Sequence, residues 1–515
     1  MGGGDGMEAP LRGQNGSPLG AGSGPVTDEV PSTVTDEVPN AVTDEVPNAV
    51  TDEELAAFDR TVARLRALPV DDPVRLRAER VAESFVRDGR LTRRKARKAE
   101  RAAADAAVPA ATTTGAPERR EDAPLAQQDG RSGALSRPRR CYVCKALYRH
   151  TDSFYHLLCP ACAADNAARR GLRTDLTGRR ALLTGGRVKI GFQLALMMLR
   201  DGAELLVTTR FPHDTRRRFR AAPGSADWLD RLTVVGIDLR DPRQVLGLCQ
   251  ELRDEGRPLG ILVNNAAQTV RRPPSSYALL AAGEREHGGE LPVGVRHAPG
   301  FDEAGPATYG VEYGVGQAGL LPYGVVEAPW LPYAVDNAGL LPYAVDEAGL
   351  LPDAAPVNSW SVRIGELDPA ELLETQLVNA VAPTLLCDRL LLLLLASPYP
   401  RRYVVNVTAV EGRFTVRRKT GGHPHTNMAK AALNMLTRTS GPELAAQGVH
   451  MCSVDTGWIT DENPLPKKER IAKAGFRTPL DIVDGAARVY DPIVRGEAGD
   501  PVAGVFLKDY QEAAW

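Results

Sequence analysis

Apolar positions in the C-terminal two-thirds of the chain alternate between short continuous runs and stretches of helical period. Ala181–Thr184, Ala203–Thr209, Leu232–Gly236 and Gly260–Val263 are continuous runs, whereas Leu194, Ala195, Met198 and Leu199 return at helical spacing. Further on, Leu372, Leu373, Leu377 and Val381 mark a helix, and Tyr403–Val407 and Val449–Val454 mark strands. Continuous apolar strands are those buried on both faces, and strands alternating with helices build a parallel sheet covered on both sides. The pattern predicts an α/β domain from about 175 to 515.

The N-terminal part follows other rules. An eight-residue unit, Val26-Thr27-Asp28-Glu29-Val30-Pro31, recurs from Val34 and Val42, with a Pro in each copy that blocks a continuous helix. Residues 1–50 therefore read as a disordered acidic tail. Thr51-Asp52-Glu53-Glu54 resembles a helix start, with Leu55, Phe58, Val62 and Leu65 on one face, and a second pattern carries Leu76, Val81 and Phe85. This helical segment, 51–105, ends in a basic run from Arg90 to Arg101. No aromatics interleave there, so a solvated helix face is the expected reading and phosphate contact the alternative. The Ala, Thr, Pro and Gly composition of 106–138 predicts a linker. Between about 277 and 356 lies a low-complexity insertion in which a ten-residue unit recurs (Gly319-Leu320-Leu321-Pro322-Tyr323, Gly339-Leu340-Leu341-Pro342-Tyr343), expected to loop from the surface.

A net charge of -2 over 515 residues points to neither a nucleic-acid nor a membrane-surface protein. The longest apolar run, Leu390–Ala396, is too short to span a bilayer and sits inside a helical pattern, so a soluble, cytoplasmic protein without membrane partners is expected. Seven cysteines in so long a chain are no disulfide framework.

The first strand of the α/β domain runs into Thr184-Gly185-Gly186-Arg187-Val188-Lys189-Ile190-Gly191 and then a helix. A glycine turn of this kind lets the backbone approach a pyrophosphate resting on the helix N-terminus. Asp238-Leu239 follows the third strand, and Asn264-Asn265-Ala266 the fourth. This ordered series resembles the short-chain dehydrogenase/reductase family, which implies a Rossmann-like, doubly wound parallel sheet. By that resemblance Gly185, Ile190 and Gly191 form the turn, Asp238 holds the adenine edge, and Asn265 and Ala266 line the adenosine ribose. Lys189 stands where the family has its middle glycine.

The second strand ends in Thr208-Thr209-Arg210, without the carboxylate that holds the ribose 2′-hydroxyl in an NAD site. Arg210, with Arg187 and Lys189, supplies cations for a 2′-phosphate, so the expected cofactor is NADP(H).

For the chemistry, the resemblance implies a water-organising Asn at Asn379, two hydroxyls after the next strand, and a Tyr-x3-Lys pair one helical turn apart. The hydroxyl positions are Thr408 and Ala409; the pair is Thr426 and Lys430. Lys430 would bind the nicotinamide ribose, but an aliphatic hydroxyl is a much poorer acid than a phenol. Two readings stay open. In the first, an NADP(H)-dependent oxidoreductase reduces carbonyls or oxidises alcohols on a small molecule, with His425 or His423 supplying the proton. In the second, the domain binds NADP(H) as sensor or scaffold. The resemblance also points to a homo-oligomer.

Cys141-x2-Cys144 and Cys159-x2-Cys162 make two knuckles, expected to hold a structural Zn2+ in a small ribbon over 139–170, with redox activity as the alternative. Arg137, Arg139, Arg140, Lys145, Arg149, Arg169 and Arg170 surround it, which keeps nucleic-acid binding as a third reading.

Overall fold

The computed structural model describes residues 50–126, 130–272, 274–286, 291–302, 357–416 and 419–515. The acidic tail and the ten-residue repeats lie outside them. The chain divides into two units, Met1–Leu91 and Thr92–Trp515. In the first, α1 (Asp52–Arg66) starts at a capping box in which Thr51 and Glu54 satisfy each other's backbone amides. Helix α2 covers Pro73–Ala110, beginning in the first unit and ending in the second, and its basic side chains from Arg93 to Arg101 are exposed.

In the second unit a hairpin, β1 (Ala134–Arg140) with β2 (Leu147–His150), leads to α3 (Pro160–Arg170). Then β3 (Arg180–Thr184), α4 (Lys189–Arg200), β4 (Glu204–Thr209), α5 (Pro212–Ala221), β5 (Leu232–Gly236), α6 (Pro242–Asp254) and β6 (Ile261–Asn264) alternate. After them come α7 (Ala278–Arg285), β7 (Val295–His297), α8 (Pro369–Gln376), α9 (Ala382–Leu395) and β8 (Arg402–Thr408). The chain closes with α10 (Pro424–Ala446), β9 (Val449–Asp455), α11 (Leu465–Lys473), α12 (Ile482–Glu497), β10 (Phe506–Lys508) and β11 (Gln511–Ala513). The sheet order is β11-β10-β9-β8-β6-β3-β4-β5-β7, parallel except for the β10–β11 pair. Strand order reverses between β3 and β6, so the crevice of this Rossmann-like, doubly wound sheet opens at the ends of those two strands.

Both faces of the sheet are buried, as the continuous runs predict. Ala181 and Leu183 of β3 pack with α4 and α12, whereas Leu182 between them packs with α6 and α9. The helical stretch Pro369–Leu395 is long and apolar enough to cross a bilayer by length and composition, yet Leu386, Leu390 and Leu394 are buried against the sheet.

Two boundaries differ from the sequence reading. The expected linker is packed: Thr112 and Thr114 are buried, and Arg119 donates to Thr478 Oγ1 and to the Thr114 carbonyl, both 2.9 Å away. Small polar residues look like linker by composition, but here they satisfy buried backbone groups. The insertion also begins later than residue 277. Helix α7 packs on α5, and β7 adds a parallel edge strand beside β5. A three-residue strand is too short to leave a periodic signal.

The cysteine module is welded to the α/β domain by charge. Asp481 and Asp484, at the N-terminus of α12, are buried. Arg170 of α3 donates to Asp481 Oδ2 at 3.0 Å and lies 3.1 Å from Asp484 Oδ1, which also accepts from the Tyr155 hydroxyl at 2.6 Å. Removing one partner of such a cluster strands buried charge. Arg170→Met should therefore destabilise the second unit by about 3–5 kcal/mol, read as a lower urea midpoint.

Candidate active site

A cavity of about 930 Å3 lies across the strand ends. Its floor is the glycine turn between β3 and α4. Gly185 has φ +72°, and a Cβ on it would sit 2.9 Å from Ala266 Cα; on Gly191 it would sit 2.1 Å from the Gly185 carbonyl oxygen. Neither position tolerates a side chain. Asn265 Nδ2 donates to the carbonyls of Thr184 (3.0 Å) and Gly185 (2.9 Å), and Thr184 Oγ1 accepts from the amides of Asn265 and Ala266. The turn and the end of β6 thus lock each other.

Lys189 enters this turn at φ +52°. Its ammonium lies 3.2 Å from Asp122 and 3.4 Å from Glu462. Burial opposes its charge, but the two carboxylates outweigh burial and raise its pKa. Lys189 is thus neutralised by protein carboxylates, a correction to its reading as a phosphate cation. Asp122 comes from the supposed linker, and no local spacing along the chain points to it. Arg187 is also paired, 2.8 Å from Asp214. Ile190, at the start of α4, lines the cavity.

Arg210 stands differently. Its guanidinium lies 4.7 Å from the Tyr277 ring centroid and 5.6 Å from that of Phe211, and among the described residues no carboxylate is within ion-pair reach. Burial would raise the pKa of the Tyr277 phenol, but Arg210, Arg272 and Arg240 around it pull it below its ordinary value. Tyr277, Arg240 and Arg272 are cavity residues the motif reading missed, because they follow no family spacing. Asp238 lines the same end, its carboxylate engaged by Arg240 Nε at 3.0 and 3.1 Å.

Asn379 is fully buried in the π-helical turn Leu377–Val381 that joins α8 to α9. It accepts from the Gln268 amide at 2.7 Å and donates to the Gln268 carbonyl at 3.0 Å. It fixes the loop after β6 from behind the cavity wall.

At the far end, Thr408 faces the cavity with a buried hydroxyl that has no partner. Lys430 donates to the Val407 carbonyl at 3.0 Å. On α10 the residues lining the cavity are Asn427 and Lys430, with His423 at the N-cap; Thr426 and His425 are not among them. His425 Nε2 lies 3.3 Å from Glu371 in the interior. His423 stacks on Trp360 with centroids 4.0 Å apart, and burial lowers its pKa. Glu411 lines the cavity with its carboxyl raised by burial. Among the described residues the titratable groups lining this end therefore include Glu411, Lys419, His423, Lys430 and Asp455, but not His425. The sequence placed both histidines on one short segment and could not tell which one faced inward.

Four sulfurs, Cys141, Cys144, Cys159 and Cys162, lie within 4.8 Å of one another, and Cys144 Sγ is 3.6 Å from Cys159 Sγ.

Burial pushes the Lys430 pKa down to about 8, against the charge of Glu411. The unfolded chain then holds this proton more tightly than the folded one between pH ~8 and ~10.4, so folding stability should rise with pH across that window. Lys430→Met should remove this increment, worth up to about 3 kcal/mol. Denaturant melts of both proteins from pH 7 to 10.5 would measure it.

Residues 179–280 match the family described as short chain dehydrogenase. An uncharacterized protein of Acanthamoeba polyphaga mimivirus is 29% identical over 378 residues, covering 69% of this chain and 71% of that protein. A probable oxidoreductase of Streptomyces antibioticus is 39% identical over 94 residues, covering 18% of this chain and 30% of the Streptomyces protein. Among solved structures, the Pseudomonas aeruginosa RhlG/NADP active-site complex aligns with a TM-score of 0.39 at 17% identity, covering 65% of this chain and 95% of that one. From Arg179 onward, with the glycine turn, the sheet order and the family match in one segment, the protein has the Rossmann-like fold of the short-chain dehydrogenases.

Proposed function

We propose that the protein binds NADP(H) across the strand ends and transfers hydride between it and a small carbonyl or alcohol. The observation that carries the cofactor is the cationic end of the cavity. Arg210 and Arg272 have no carboxylate within ion-pair reach among the described residues, and they flank Tyr277 where a 2′-phosphate would lie. A 2′-phosphate would complete this cluster, whereas a plain ribose would leave its charges uncompensated. A hydride needs only a positioned nicotinamide. Thr408, with its unpartnered hydroxyl, is placed to polarise a carbonyl, and Lys430 to hold the ribose and pass a proton.

A second reading, cofactor binding without turnover, is favoured by one observation. The position of the family's phenol carries Thr426, which does not line the cavity. Nucleic-acid binding has less support, because Arg169 and Arg170 are engaged within the protein, which leaves Arg137, Arg140, Lys145 and Arg149 as the module's exposed cations. Arg170 serves the buried aspartates, Arg169 pairs with Asp165 and Asp491, and Arg149 donates to the Ser136 carbonyl.

The four cysteines fit a structural Zn2+. A tetrahedral site with Zn–S bonds of about 2.3 Å separates its sulfurs by about 3.8 Å, close to the Cys144–Cys159 distance, which is too long for a disulfide. Cys141 Sγ also accepts from the Cys159 amide at 3.3 Å, which ties the two knuckles together. When bound, zinc would cross-link the two knuckles; the four thiolates leave no open position for catalysis.

Arg210→Asp should weaken NADPH by ~1.5–3 kcal/mol and narrow the preference over NADH, measured by titration of nicotinamide fluorescence. Tight NADH binding indifferent to Arg210 would sink the cofactor assignment. Protein purified without chelator should carry one Zn2+ per chain by elemental analysis. The double variant Cys141→Ser, Cys159→Ser should lose it and show increased amide exchange over residues 139–170.

A further inference from the structure

The cysteine module does more than sit beside the α/β domain. Between Cys141 and Cys144 the first knuckle carries Tyr142, which with the following Lys145 lines the same cavity as the glycine turn. The Tyr142 hydroxyl accepts the backbone N–H of Trp458 at 2.9 Å. Next to it, Gly457 has φ +82°, and a Cβ there would meet Leu480 at 2.7 Å and stand 3.6 Å from the Tyr142 hydroxyl. Leu480 belongs to the module's own apolar core, with Tyr148, Tyr155 and Leu158. The cavity wall from Asp455 to Asp461 is thus built against the knuckle on one side and the module's core on the other.

Tyr142 lies inside the first knuckle, next to Cys141, and its backbone is tied to the segment leading into the second knuckle. Its amide donates to the Leu157 carbonyl at 2.8 Å, just before the second knuckle, and Cys141 on its other side donates to the Ala146 carbonyl. Holding the four sulfurs together therefore fixes the tyrosine, and the tyrosine fixes Trp458. This wall lies at the end of the cavity away from Arg210. Arg210 follows β4 and Gly457 follows β9, four strands apart in the sheet, which is about 19 Å at ordinary strand spacing. A dinucleotide anchored at Arg210 and extended across the strand ends reaches Tyr142 with its nicotinamide half.

We infer that the metal-held knuckle is a wall of the nicotinamide end of the cavity, with Tyr142 as its positioning residue, so that metal occupancy and NADP(H) binding are coupled. The inference rests on the NADP(H) and zinc readings above. Linkage requires the coupling to be reciprocal: if Zn2+ strengthens NADPH binding, NADPH strengthens Zn2+ binding by the same factor.

The test uses the full-length protein and two nucleotides, NADPH and its adenosine half, 2′,5′-ADP. Stripping Zn2+ with a chelator should raise the NADPH Kd about tenfold or more, the scale of a typical coupling, and leave that of 2′,5′-ADP unchanged. In competition with a chromophoric chelator, saturating NADPH should tighten Zn2+ by the same factor. Tyr142→Phe keeps the ring and the full zinc content but loses the acceptor for the Trp458 amide. It should weaken NADPH several-fold and spare 2′,5′-ADP. An NADPH Kd indifferent to Zn2+ would overturn the coupling. Equal losses of NADPH and 2′,5′-ADP in Tyr142→Phe would show a general loss of structure and overturn the positioning role. If neither nucleotide binds the zinc-loaded protein, the cofactor reading itself fails. The wall is then read from Trp458, whose emission should shift on zinc removal and whose contribution is identified with Trp458→Phe; no shift would overturn the wall as well.

Discussion

Burial of a parallel sheet on both faces is the constraint on which the rest of the structure depends. The inner strands β3, β4, β5, β6, β8 and β9 offer mostly apolar side chains to two helical layers, so most of the polar chemistry is kept off both faces. What remains is the edge where the strands end, and there the backbone groups of each strand need new partners. In this protein they are supplied by Thr184 and Asn265, which tie the glycine turn to the end of β6. The cavity is the space left where connections diverge to opposite sides of the sheet. Its position between β3 and β6 follows from topology, and its glycines follow from how closely the two connections approach.

The cysteine module is attached to this frame by the costliest kind of contact. Two buried carboxylates at one helix N-terminus repel each other, and burial with its neighbour's charge raises the pKa of Asp484 while Arg170 holds that of Asp481 down. Such a cluster adds little net stability compared with an apolar contact of the same shape, but it admits one arrangement only. Arg488, fully buried, extends it by donating to Asn166 of α3 at 2.8 Å. That geometric strictness is what brings the first knuckle to the cavity, and it makes the module part of the site.

In the proposed reading, this end of the cavity keeps the positioning groups that the family resemblance implies and lacks its phenol. A lysine next to a strand-end carbonyl, an unpartnered threonine hydroxyl and a buried asparagine behind the wall form the frame into which the proposed reading puts a nicotinamide and a small substrate. Where a phenol is expected, the helix turns its threonine away from the cavity, and Glu411 and His423 enter from other directions. In the proposed reaction the proton therefore comes from groups other than the family's phenol position, Lys430 on the ribose-binding helix and His423 at its N-cap among them.

Much of the fold was legible in the sequence because burial on two faces writes itself into continuous apolar runs. The strands beginning at Arg180, Glu204, Leu232, Ile261, Arg402 and Val449 were all readable in this way. The glycine turn and the paired cysteines were legible too, because backbone approach and tetrahedral convergence each demand particular residues at fixed spacing. Direction was not legible. Whether Lys189 meets a phosphate or Glu462, whether His423 or His425 faces inward, and whether Asp122 lies in a linker or in a packed wall depend on segments far apart in the chain. Nor could spacing show that Tyr142 reaches Trp458, 316 residues away. The sequence determined the periodic elements and the local turns, since those are properties of neighbouring residues. Only the tertiary structure decided which charges meet, because an ion pair or a cavity wall is a relation between elements that local periodicity does not encode.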